Sequence, residues 1–127
     1  MTERTVVPRV ELMLDCADPV ALAPFWAGAL GYEIGGGDGN PYVELLPPTS
    51  GPILCLQRVP EPKTTKARMH LDLYVPPDAV AAELDRLAAL GAVARGGPVV
   101  RRDGSFNFQV LQDPAGTEFC LCAEHRD

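Results

Sequence analysis

The residues best suited to chemistry are few. His70 and Asp72 stand two apart in the segment His70 to Val75 (HLDLYV), where apolar and polar types alternate. On a strand that spacing puts both side chains on one face, about 7 Å apart at Cα, so a base would sit beside a carboxylate. Cys120 and Cys122 share one face of a second strand by the same rule. With Cys16 and Cys55 they make four cysteines and no CxxC pair, read here as reduced, packed thiols. Gly35 to Gly39 (GGGDG) reads as a hairpin turn with no helix behind it to cradle a phosphate. No GxSxG elbow, heptad run or basic patch occurs, and His125 lies in the C-terminal tail.

These residues need elements to position them. Val10 to Cys16 alternates as a strand with one apolar face. Asp18-Pro19 then reads as an N-cap with proline at the first helical position. Leu22, Phe25, Trp26, Ala29 and Leu30 recur at helical spacing, and Gly31 suits the C-terminal cap. Pro24 removes a backbone donor inside this helix and is expected to distort it. Short strands follow near 32–34, 42–46 and 53–59.

After a polar, Pro-rich stretch at 60–68 the plan repeats. His70 to Val75 is a strand, and Asp78 is expected to cap a helix bearing Val80, Leu84, Leu87 and Leu90 up to Gly91. Strands follow near 92–94, 106–111 and 118–122. Glu11 and His70 lie 59 apart, Gly31 and Gly91 60, and both Gly51/Gly116 and Cys55/Cys120 65. Paired glycines and cysteines in one order indicate a duplicated strand–helix–three-strand unit. The expected organisation is one domain over 1–127, with unit one at about 8–59, a linker at about 60–68 and unit two at about 69–123.

Length and composition set the outer bounds. A chain of 127 residues, 46% of them hydrophobic, can bury a core without staples. A net charge of −6 argues against nucleic acid and anionic membranes as partners. The charged start, Met1 to Arg9, is unlike a signal peptide, and the apolar runs are too short to span a bilayer. The expected location is the cytoplasm.

Three stretches carry a family resemblance. The first is Glu11 to Gly31, with Asp18 opening a helix that holds Phe25-Trp26. The others are His70-Leu71-Asp72-Leu73 and Asp113-Pro114-Ala115-Gly116-Thr117-Glu118-Phe119. Together they resemble the glyoxalase / bleomycin-resistance / extradiol-dioxygenase (vicinal oxygen chelate) superfamily. Gln57 to Lys63 (QRVPEPK) is similar to its glyoxalase-like domain subgroup. The resemblance implies an α+β fold: two tandem βαβββ units forming a curved mixed sheet around a cleft, helices outside, often in a homodimer. Members include isomerases, epimerases, dioxygenases, transferases and metal-free antibiotic binders, so fold alone does not choose a function.

The resemblance also implies where a metal would sit. The matching positions are Glu11, Cys55, His70 and Cys120, where the family's usual pattern is His or Gln, Glu, His, Glu. Two sulfurs disfavour Mg²⁺ or Mn²⁺, and one histidine cannot build a two-histidine iron site. Zinc tolerates such a set. The expectation is therefore no cofactor, with zinc as the ion if one is bound.

Alternation extends that cleft face to Met13, Asp15, Tyr42, Glu44, Gln57, Asp72, Tyr74, Asn107, Gln109, Glu118 and Cys122. The opposite face would carry Leu12, Leu14, Leu54, Leu56, Leu71, Leu73, Val75, Phe106, Phe108, Val110, Phe119 and Leu121 towards the helices. Glu11, Glu44, Asp72 and Glu118 would make an acidic pocket favouring a cationic or amine-bearing ligand. The leading expectation is a module that binds a small organic molecule without chemistry. The alternative is a lyase, isomerase or dioxygenase-related enzyme acting on a small carbonyl or oxygenated substrate. It would use zinc, or His70 and Glu11 as acid and base. A scaffold role through the dimer is a third.

Overall fold

The computed structural model describes residues 6–36 and 41–124, and its chain divides into two compact units, Met1–Pro60 and Glu61–Asp127. Among the described residues there are two α-helices and nine strands in two mixed sheets. The tip of the Gly35–Gly39 turn and His125 lie outside the described residues.

In the first unit, β1 (Leu12–Cys16) leads into α1 (Pro19–Leu30), then β2 (Glu33–Ile34), β3 (Tyr42–Leu46) and β4 (Leu54–Arg58). The sheet order is β1-β4-β3-β2, with β1 parallel to β4 and the other pairs antiparallel. Asp18 caps α1 by accepting the Ala21 N–H at 3.2 Å, and Gly31 closes it at φ 69°. That left-handed conformation is one that glycine enters without a Cβ penalty. The helix continues through Pro24. It packs against β2, β3 and β4 and buries Leu22, Phe25 and Trp26. Phe25 and Trp26 meet edge to face, 5.2 Å between centroids.

In the second unit, β5 (Asp72–Val75) is followed by a 3-10 turn at Pro77–Ala79 and α2 (Val80–Leu90). Then come β6 (Val93–Ala94), β7 (Val99–Val100), β8 (Phe106–Gln112) and β9 (Glu118–Ala123). The main path is β5-β9-β8-β6, the same permutation as in the first sheet, with β5 parallel to β9. The duplication read from the sequence is thus a duplication of topology. The short strand β7, which pairs with β8, has no sequence-read counterpart.

Two local expectations are corrected. Asp78 does not cap α2: it sits inside the 3-10 turn, and Ala79 at the helix N-cap makes no side-chain hydrogen bond. The chain enters the helix by tightening from a 3-10 turn, so the first amides need no carboxylate cap. The apolar face of α2 is also narrower than its spacing predicts. Val80 and Leu87 are buried, whereas Leu90 is exposed. The helix packs on β9, where Phe119 and Leu121 are fully buried.

Candidate functional site

The register of the second sheet builds a pocket floor. β5 and β8 flank β9, so Asp72, Cys120 and Val110 stand side by side in one row, and Tyr74, Cys122 and Phe108 in the next. Neighbours directly across a ladder share a face. These six, with Lys66, His70, Asn107 and Glu118, line a cavity of about 330 Å³. That lies at the small end of the about 300–1,000 Å³ typical of small-molecule sites.

Asp72 is the hub of the polar wall. Its Oδ1 lies 2.9 Å from His70 Nδ1, and the Cys120 thiol donates to the same carboxylate. With Nδ1–H donating to Asp72, the neutral ring would leave Nε2 as the basic nitrogen. Burial, reinforced by Asp72, pushes the Cys120 thiol up. Cys122 is raised to about 11, first by burial and then by Asp72 and Cys120. A side-chain hydrogen bond links it to Tyr74, whose hydroxyl is raised chiefly by Cys122 and then by Asp72. Both thiols are thus held protonated at neutral pH and are weak nucleophiles.

Glu118 plays another part. Its carboxylate accepts the Ala67 N–H at 2.9 Å, meets Lys63 Nζ at 3.1 Å and is approached by Gln112 Nε2 at 3.4 Å. The Ala67 amide above all holds its pKa down, at about 2. The group is a permanent anion, but its charge is spent in tying residues 63–67 to β9.

Of the expected cleft residues, the second unit brings together His70, Asp72, Tyr74, Asn107, Glu118, Cys120 and Cys122. Gln109 is corrected. It pairs with Leu121 on the opposite face of β8, is buried, and points its amide at the carbonyls of Val110, Gly96 and Arg95. Phe108 and Val110, expected against the helix, line the pocket instead. The turn from Asp113 to Thr117 sets this parity. Asp113 accepts the amides of Ala115 and Thr117, each at 2.9 Å, and fixes which β8 residue faces which on β9. Asn107 still reaches the pocket because β8 bulges there: Val99 pairs with Phe108 and Val100 with Phe106, leaving Asn107 as the extra residue.

The first unit holds the remaining expected residues. Met13, Cys55 and Glu44 form one row, and Asp15, Gln57 and Tyr42 the next. Cys55 is buried, and its thiol is raised by burial, then by Glu44 and Glu11. Glu11 pairs with Arg9 at 2.7 Å. Among the described residues, the group with metal-ligand geometry is His70, Asp72 and Cys120, whose donor atoms lie within 4.8 Å of one another. The sequence places Asp72 beside His70 on the cleft wall but not among the metal ligands; the parallel β5–β9 register, which sets it beside Cys120, is the missing signal. Lys66 was missed because it falls in the stretch read as linker.

A family model described as "glyoxalase-like domain" matches residues 11–122. No curated protein sequence gives a significant match. Similar solved structures include a mutant of the fosfomycin resistance protein FosX from Listeria monocytogenes, complexed with Mn(II) and 1S,2S-dihydroxypropylphosphonic acid. It has a TM-score of 0.76 and 16% identity, covering 95% of this chain and 93% of that one. A glyoxalase/bleomycin resistance protein/dioxygenase family enzyme from Burkholderia phytofirmans has a TM-score of 0.72 and 17% identity, over 89% and 95%. A possible glyoxalase from Bacillus cereus has a TM-score of 0.70 and 21% identity, over 92% and 99%. At these identities the likeness is one of fold.

Proposed function

We propose, given that the chain belongs to the glyoxalase-like domain family, that its second unit binds a small organic molecule between β5, β8 and β9. The carrying observation is the cavity of about 330 Å³, with an apolar floor of Phe108 and Val110 and a polar wall of His70, Asp72 and Asn107. Apolar bulk for affinity and a few placed polar groups for orientation are the usual make-up of such sites. The reading rests on the cavity and its lining and requires no metal. Fragment screening by ¹H–¹⁵N NMR tests it. Hits should perturb the amides around His70, Asn107 and Cys122, and Val110→Trp should block them. Hits that map elsewhere and survive that substitution would retire the reading.

A zinc-dependent lyase or isomerase is the second reading, favoured by the convergence of His70, Asp72 and Cys120. One nitrogen, one oxygen and one sulfur suit a borderline-soft ion such as Zn²⁺ and suit Mn²⁺ poorly. Bound there, zinc would supply Lewis-acid polarisation of a carbonyl. Elemental analysis of protein purified without chelator separates the readings: near-stoichiometric zinc lost in Cys120→Ser supports the enzyme. The chain is further proposed to act as a cytoplasmic homodimer. Sedimentation analysis tests the stoichiometry. No helix among the described residues is long and apolar enough to cross a membrane.

A further inference from the structure

The charges around the pocket do not cancel in the way their residue types suggest. Two carboxylates line it, Asp72 and Glu118, and from composition alone a cation would be the natural guest. Both are already engaged. Glu118 is met by Lys63, the Ala67 N–H and Gln112. Asp72 accepts from His70 and from the Cys120 thiol. Asp72 keeps its negative charge, since these donors are neutral; the lining cation is the ammonium of Lys66, which has no ion pair or hydrogen bond with any described residue.

The backbone that carries Lys66, itself an exposed residue, is also held in place. It lies between Lys63 and Ala67, the two points at which Glu118 ties this segment to β9. Lys63 Nζ also donates to the Thr65 carbonyl at 2.6 Å. A cation on a pinned segment loses less ordering entropy on meeting a ligand than one on a free loop. Beyond it lie the Asn107 amide, placed in the pocket by the β8 bulge, and the apolar surfaces of Phe108, Val110 and Tyr74.

We propose that the ligand is a small organic carboxylate with an aryl or branched-alkyl body, its carboxylate on Lys66 and its body on Phe108 and Val110. This rests on the pocket reading above and replaces the amine-bearing ligand that the residue types alone suggest. An anion gains from the ammonium of Lys66, whereas an amine would compete with the donors already on Asp72 and Glu118.

The test is a matched panel of carboxylates, primary amines and alcohols on aryl and branched-alkyl bodies, titrated by ¹H–¹⁵N NMR at low and high salt. Carboxylates should bind tightest, perturb the amides of Lys66, Asn107 and Cys122, and weaken as salt rises. Lys66→Ala should cost the carboxylates about tenfold and leave the alcohols unchanged, with Lys66→Arg restoring most of the loss. Alcohols or amines binding in the pocket as tightly as carboxylates, or carboxylates indifferent to Lys66→Ala, would overturn the anion assignment and leave the pocket standing. If no member of the panel perturbs the pocket, the binding reading and this inference fall together.

Discussion

Glu118 Oε1 accepts the backbone N–H of Ala67 at 2.9 Å, so a side chain at the start of β9 anchors the segment that leads into β5. With Lys63 on its other oxygen, the carboxyl is held near 2 against an ordinary 4.5. A carboxyl whose folded pKa is depressed stabilises the fold above 4.5, and that contribution disappears as the pH falls from 4.5 towards 2. Glu118→Gln should therefore cost about 1–3 kcal/mol at neutral pH. In acid, urea titrations should show the variant and parent converging. A gap that stays constant with pH would refute the charge-based account. Limited proteolysis should also show faster cutting at 60–68 in the variant.

Cys120 and Cys122 line a cavity yet should alkylate slowly at neutral pH, because burial and Asp72 keep both thiols protonated. Asp72→Asn removes the negative charge common to the two and should speed labelling several-fold at both sites. Site-resolved mass spectrometry after a brief iodoacetamide pulse reads this, with Cys55 as an internal reference far from that substitution in the chain. Equal labelling in parent and variant would mean that access, not protonation, limits the reaction.

Gln109 separates two views of β8. Its amide serves three backbone carbonyls on the buried face, the nearest at 2.9 Å. Gln109→Leu should cost about 1–3 kcal/mol, because buried carbonyls lose their donor. Ligand affinity, measured on the variant while folded, should not change. Loss of affinity without loss of stability would put the residue back in the pocket.

Trp26 is 1% exposed and stacks edge to face on Phe25. Trp26→Ala should destabilise the protein by about 3–5 kcal/mol, the usual penalty for emptying an aromatic site in a packed core. Thermal denaturation followed by far-UV circular dichroism measures it. A loss under about 1 kcal/mol would mean that α1 is not the cover of the first sheet.

How far the sequence could be read depended on the range of the interactions involved. The α1 boundaries were legible because Asp18, Pro19 and Gly31 act within a turn of where they sit. The repeat was legible because paired glycines and cysteines keep their order through drifting loop lengths. The faces of β8 were not. Assigning polar residues to the pocket put Gln109 there, but polarity does not determine direction where backbone carbonyls offer a buried partner. The Asp72–Cys120 adjacency was hidden for a related reason: it depends on a parallel pairing between strands far apart in the chain. Lys66 was hidden because a Pro-rich polar segment looks like a tether until a side chain elsewhere ties it down.

The turn from Asp113 to Thr117 works as a reading frame. A strand has two faces and a period of two, so whichever residue the turn presents first decides the meaning of every residue before it. Gaining or losing a single residue there would exchange the set Phe108, Val110 and Gln112 for the set Gln109 and Leu111, turning the pocket floor inside out without altering one side chain of β8. Relatives that kept every pocket residue but changed the length of this turn would share the alphabet and spell a different site.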